Sequence, residues 1–276
     1  MQGNNQLTCR STQIQKSCRF LGLVSSAFDR KRIMLRKERT AIVTGAAGNG
    51  MGRSIALTLA RDGVNVVVNY LTSSDSAASI AAHIEKQGGH ALTFQADVTQ
   101  HDQCRALVNT TIESFGQVDI CVIGPGGGWH PETIDKLNSQ AALDDARREL
   151  APVYNLMPLV LPAMYERKWG RIIAISLLST IPSPSYAYNS GKAARTNALL
   201  LAHKEAWENG VTINVIAPGP VEELASLADA VELCEHGPKW QDRKRTTPQD
   251  IAEGTAMLCS DSGKFISGCE LPYMFS

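Results

Sequence analysis

Thr40-Ala-Ile-Val-Thr44-Gly45-Ala-Ala-Gly48-Asn-Gly50-Met-Gly52 decides the fold of this chain. The first five residues form a short apolar run of β type, glycines then break the run, and Ser54 to Arg61 has the spacing of an amphipathic helix. Strand, glycine loop and helix in that order make a phosphate-binding unit. Glycines let the backbone turn tightly and approach a pyrophosphate, while the helix N-terminus offers free amide donors and the positive end of a dipole. Gly45, Gly48, Gly50, Met51 and Gly52 are therefore candidate nucleotide-binding residues.

Downstream the same rhythm repeats. Val64 to Tyr70 reads as a second strand, a nearly continuous apolar run suited to a parallel sheet covered on both faces. An NAD site usually carries an acid at this strand end, for the ribose hydroxyls. Asn69 to Ser74 contains none, and hydroxyls with the nearby Arg53 would suit a 2′-phosphate, which favours NADP over NAD. In the plainer reading Ser73 and Ser74 cap the next helix, which runs to about Lys86. Third and fourth strands are expected over His90 to Ala96, before Asp97-Val98-Thr99, and Val118 to Ile123, with a helix between them. A helical region over about 140 to 166 contains Pro152, Pro158 and Pro162, expected to kink or segment it. Arg171 to Ser176 and Val211 to Ala217 are the fifth and sixth strands, the latter closing on Pro218-Gly219-Pro220. Residues 221 to 245 are polar and expected to form a mobile lid, before a helix near 248 to 259 and a last strand near Leu271. The alternation specifies a single-domain α/β fold, a doubly wound parallel sheet with right-handed crossovers. Ligands bind such sheets beyond the strand C-termini, where the glycine loop, Asp97 and Gly124 lie.

Lys+Arg and Asp+Glu each total 27, so the neutral chain has no electrostatic footprint for nucleic acid or an anionic membrane. No apolar run is long enough to cross a bilayer. Seven cysteines without a Cys-x-x-Cys pair argue against a disulfide framework and a metal site, and for a reducing, cytoplasmic setting. Residues 1 to 36 are basic, Ser-rich and poor in acids, so they read either as a transit peptide or as a disordered extension, with Met34 opening the domain at about 37 to 276. The second reading is adopted.

Tyr188-Asn189-Ser190-Gly191-Lys192 places a phenol and an ammonium four residues apart, on one helix face. The cation is expected to lower the tyrosine pKa and make the pair a proton-handling site. Pro182-Ser-Pro-Ser185 ends in an N-cap candidate, so the pair falls at the start of its helix and at the ligand edge. Gly124 to Gly128 carries four glycines, and Trp129 and His130 after it are candidate substrate contacts.

In these features the chain resembles the short-chain dehydrogenase/reductase family over about residues 36 to 276: Thr44-Gly45 with Gly50-Met51-Gly52, Asp97-Val98, Tyr188 with Lys192, and Asn214 through Pro218-Gly219. The resemblance implies a Rossmann-like fold. It further implies Tyr188 as proton donor or acceptor, Lys192 on the nicotinamide ribose, Asp97 and Val98 at the adenine, and Pro218 and Gly219 at the nicotinamide. A homodimer or homotetramer is also implied. The family's active-site tetrad diverges here. Its Asn-Asn-Ala-Gly is replaced by Ile123-Gly124-Pro125-Gly126, so that strand end must be held differently. Its helical asparagine falls on Glu149, which would either pair with Lys192 or relay protons. Its carbonyl-polarising serine falls on Leu177, leaving Ser176, or alternatively Ser179, for that role.

The resulting expectation is an NAD(P)-dependent oxidoreductase acting on a small-molecule carbonyl or alcohol. Two alternatives remain: a catalytically weak nucleotide-binding partner or sensor protein, and a lyase or isomerase on the same scaffold using His130 or Glu149.

Overall fold

The computed structural model describes residues 39 to 273, apart from 125, 127, 179–184 and 240–244. The proposed extension over residues 1 to 36 and the alternative donor Ser179 thus lie outside the described residues. Among the described residues seven strands and seven α-helices follow in this order: β1 Thr40–Val43, α1 Met51–Arg61, β2 Asn65–Tyr70, α2 Ser74–Lys86, β3 Ala91–Gln95, α3 His101–Phe115, β4 Ile120–Ile123, α4 Ser139–Glu166, β5 Gly170–Ile175, α5 Tyr186–Glu208, β6 Val211–Pro218, α6 Leu227–His236, α7 Pro248–Cys259 and β7 Glu270–Tyr273. All strand pairs are parallel, in the order β3-β2-β1-β4-β5-β6-β7. The order reverses between β1 and β4, which opens a crevice at their C-terminal ends.

Side chains alternate along each strand, and the core divides accordingly into two layers. Ala41, Val43, Val66, Val68, Ile120 and Val122 pack with α1, α2, α6 and α7 on one face. Ile42, Val67, Cys121, Ile123, Ile172 and Ala174 pack with α3, α4 and α5 on the other. Burial on both faces explains the unbroken apolar runs of the strands.

Two expectations change. Helix α4 runs through all three of its prolines, which therefore do not segment it. Each interior proline costs about 3 kcal/mol, but the helix buries Val153, Leu156, Met157, Val160 and Met164, and a buried side chain of this kind returns about 1.5 to 3 kcal/mol. Packing of that face offsets the missing backbone bonds. Part of the polar segment after β6 forms a helix: Ser226 and Asp229 form a reciprocal capping box that starts α6, whose Ala230 and Cys234 are buried against the α1 side of the core. Its approach is tied to the glycine loop, because Leu224 N–H donates to the Asn49 carbonyl (3.1 Å) and the Leu224 carbonyl accepts from Arg53 (2.8 Å).

Candidate active site

The site begins where β1 ends. Gly45 has φ of 62°, a left-handed turn that favours glycine. A Cβ on Gly52 would lie 2.5 Å from the Gly45 carbonyl, so the first turn of α1 packs on the loop only as glycine. At Gly48 and Gly50 a Cβ would meet nothing within 4 Å, and α1 has Gly50 at its N-cap position, with no side chain capping it and no acid in its first turn. Open space beside an uncapped helix N-terminus suits an anionic group.

Asn69 fastens this loop to the sheet. It is buried, and its Oδ1 accepts from Gly45 N–H (3.2 Å) while its Nδ2 donates to the carbonyls of Phe94 (3.2 Å) and Ala96 (3.1 Å). Asp97 is held in turn by its own loop, its carboxylate accepting from Thr99 N–H and Oγ1. Asp97 and Val98 line a cavity of about 260 Å³ with Gly45, Asn69, Leu71 and Arg148. Arg53 does not reach this place. It is buried and turned toward Leu224, so the sequence expectation that it serves a 2′-phosphate is corrected.

A second cavity, of about 510 Å³, joins the remaining elements. Its wall includes Gly48, Gly50, Met51, Gly52, Gly124, Tyr188, Lys192, Pro218 and Gly219, and Thr44, Gly45 and Gly126 line both cavities. Trp129, Leu177 and Val221 add apolar surface. The N–H of Gly124 donates to Thr44 Oγ1 (2.7 Å), and a Cβ at Gly124 would lie 2.2 Å from the Thr44 carbonyl.

Tyr188 and Lys192 stand in the first turns of α5, with the Lys192 ammonium 5.4 Å from the centre of the Tyr188 ring. Lys192 Nζ lies 3.2 Å from Glu149 Oε2, and Arg195 Nε lies 3.2 Å from the same oxygen. All three residues of this ion cluster are buried. Burial, with the Arg195 charge beside it, brings the Lys192 ammonium down from 10.5 to about 8, against the opposing pull of Glu149. The expected lowering of the Tyr188 pKa is not found. Burial first, and the Glu149 carboxylate second, raise it above its ordinary value, with Arg195 opposing.

Ser176 also departs from expectation. It lines the cavity, but its hydroxyl donates to the Lys192 carbonyl (3.1 Å) and accepts from Thr196 (2.8 Å), so in this structure it is engaged in anchoring α5. Leu177 lines the cavity at the next position. Trp129 lies at the cavity as anticipated, whereas His130 is a staple: its Nε2 is 2.9 Å from Asp145 and its carbonyl accepts from Ser185. Ser185 occupies the N-cap position of α5 without capping it, and Glu132 instead accepts from Ala187 N–H (2.8 Å). Sequence reasoning missed Arg195 altogether. The available signal was its spacing, since positions 188, 192 and 195 follow the i, i+4, i+7 stripe of one helix face.

Comparison with known proteins finds relatives of the chain as a whole. A family model described as short chain dehydrogenase matches residues 39–231. A 3-oxoacyl-(acyl-carrier-protein) reductase of Staphylococcus epidermidis is 31% identical over 236 residues, covering 83% of this chain and 95% of the relative. A 7alpha-hydroxysteroid dehydrogenase of Escherichia coli K12 is 32% identical over 243 residues, covering 83% and 90%. Among solved structures, a 7alpha-hydroxysteroid dehydrogenase complexed with NADH and 7-oxo glycochenodeoxycholic acid superposes with a TM-score of 0.74 at 27% identity, over 88% of this chain and 94% of that one.

Proposed function

The chain belongs to the short-chain dehydrogenase family, and on that premise we propose how its residues divide the work of an NAD(P)-dependent oxidoreductase that interconverts a carbonyl and an alcohol. The observation that carries the reading is that the glycine loop, Pro218-Gly219 and the Tyr188–Lys192 pair line one cavity. Its residues fit a dinucleotide by their own chemistry. Gly48 and Gly50 leave room for a close approach, the uncapped start of α1 attracts a pyrophosphate, and Asp97 and Val98 line the adjoining cavity for the adenine end. NADP is the favoured form, because Asn69 to Ser74 contains no carboxylate, Thr72, Ser73 and Ser74 are exposed, and Arg148 shares a cavity with Leu71. When bound, the nicotinamide supplies the hydride chemistry.

Tyr188 moves the matching proton. With its pKa held up by burial and by Glu149, its phenol is neutral near pH 7 and is poised to donate to a carbonyl oxygen. Lys192 lies beside it as the supporting cation, positioned by Glu149. Leu177 brings no second donor, and a donor of that kind contributes on the order of 10² to 10³ in rate, so among the described residues Tyr188 is the donor best placed for the substrate oxygen. Trp129 and Leu177 favour an apolar surface on the substrate. We further place the protein in the cytoplasm, supported by the unpaired thiols of Cys104, Cys121, Cys234, Cys259 and Cys269, and as a homodimer or homotetramer pairing through α4 and α5, where Leu143, Tyr154 and Leu201 are exposed.

Product analysis with nicotinamide deuterated at the transferred position tests the reaction class. Label on the carbinol carbon of the alcohol is expected. A product formed without label would overturn the redox reading in favour of elimination or isomerisation.

A further inference from the structure

One carboxylate oxygen of Glu149 lies 3.2 Å from each of two cations, and the second of them has no part in the proton-transfer pair. Arg195 is fully buried. Its Nη1 donates to the carbonyls of Gly124 (2.7 Å) and Ile175 (3.0 Å), which end the neighbouring strands β4 and β5, and its Nε donates to the Glu149 carbonyl (3.1 Å). One guanidinium thus joins two strand ends, α4 and α5 at the catalytic edge of the sheet. The same contacts bear on the glycines after β4, for a Cβ at Gly126 would fall directly on the Glu149 carboxylate.

Resting on the reading of Tyr188 and Lys192 as the proton-handling pair, we propose that Arg195 is a positioning residue of that pair: it locks the β4 and β5 ends and shares the Glu149 carboxylate, and thereby fixes both the place and the charge of Lys192. A rigid planar fork suits this task, since its donors reach several acceptors at once, which an ammonium on a flexible stem does not. The charged groups facing Lys192 are Glu149 from α4 and Arg195 from its own helix, with Glu223, from the segment after β6, lining the same cavity. Strands β4 and β5 face Arg195 with the carbonyls of Gly124 and Ile175. Arg195 and Glu149 act on Lys192 in opposite directions, the guanidinium lowering its pKa and the carboxylate raising it.

The test is an NMR titration of the Lys192 side chain, labelled with ¹³C at Cε and assigned by its loss in Lys192→Met, in protein without cofactor. Arg195→Met is expected to move the midpoint up, Glu149→Gln to move it down, and the double variant to fall between them. Arg195→Lys keeps a charge but loses the fork, so its midpoint stays closer to the wild type than that of Arg195→Met. In enzyme assays kcat of Arg195→Lys falls by about 10- to 100-fold, the scale of misplaced catalytic groups, with little change in KM. If Arg195→Met fails to fold, Arg195→Lys and Glu149→Gln carry the test, by the same midpoints and the same kcat loss. An unmoved midpoint in Arg195→Met, an unmoved midpoint in Glu149→Gln, or full kcat in Arg195→Lys overturns the proposal. Because the titration needs no turnover, a protein that titrates as expected but reduces no carbonyl refutes the enzymatic reading and leaves the role of Arg195 on Lys192 standing.

Discussion

The two ends of the crevice are built from different materials. On the β1–β2–β3 side the glycine loop is shaped by backbone and held by a neutral group, the Asn69 amide, while the Thr44 hydroxyl reaches across to the Gly124 N–H after β4. On the β4–β5 side the equivalent fastening is ionic, through Glu149, Lys192 and Arg195, all buried. Neutral hydrogen bonds are insensitive to pH over the working range. A buried charge cluster is not, because each member sets the ionisation of the others. Cofactor binding and proton transfer should therefore respond differently to the same perturbation.

The largest effect that would break this division concerns Asn69. Asn69→Leu keeps the volume but strands the Gly45 N–H and the carbonyls of Phe94 and Ala96, each an unmet buried group worth about 1 to 3 kcal/mol. Denaturant unfolding should show a loss of about 3 kcal/mol, and cofactor titration a weaker affinity, with the Lys192 midpoint unchanged. A moved Lys192 midpoint would show that the two ends are one electrostatic unit.

A smaller effect sharpens the ionic side. Lys192 falls from an ordinary 10.5 to about 8 on folding, chiefly through burial. Below pH 8 both folded and unfolded chains carry the proton, and the cost of burying it is paid in full. Above pH 8 the unfolded chain holds more protons than the folded one, so stability rises with pH. Cys104, pushed up to about 11, and Cys121 and Cys259, pushed up to about 12, oppose this rise once pH passes 9, so the clean window is pH 8 to 9. The stability of wild type relative to Lys192→Met should increase across that window by about 1 kcal/mol, bounded by 1.4 kcal/mol per pH unit. A flat difference would contradict the buried ammonium.

The smallest effect is expected at Ser176. Ser176→Ala removes one anchoring hydrogen bond, worth about 0.5 to 1.5 kcal/mol of stability, and leaves kcat within about threefold of wild type. A fall of about 10² to 10³ in kcat, the cost of losing a donor to the reacting oxygen, would show that the Ser176 hydroxyl leaves its α5 partners to serve the substrate during catalysis.

Much of the fold was legible because burial on both faces wrote the strands as apolar runs, and because glycine punctuated the β1–α1 turn. Tyr188 and Lys192 were legible for a local reason, their helical spacing. What escaped depends on partners far away in sequence. Arg195 is defined by the carbonyls of Gly124 and Ile175, and backbone carbonyls leave no trace in residue identity. The partners of Ser176 were not legible, because its hydroxyl is engaged by α5, which lies beyond it in the chain. Arg53 looked free beside the cofactor loop until Leu224, 171 residues on, was found to hold it. The capping box at Ser226 and Asp229 was readable, but the polarity around it concealed a helix that buries only Ala230 and Cys234.

Tyr188→Phe, followed by cofactor titration and turnover on the same preparation, tests the central claim most directly. The account predicts an NADPH dissociation constant close to that of wild type and a kcat lower by about 10² to 10⁴, the range for losing a general acid. Wild-type turnover in Tyr188→Phe would contradict it.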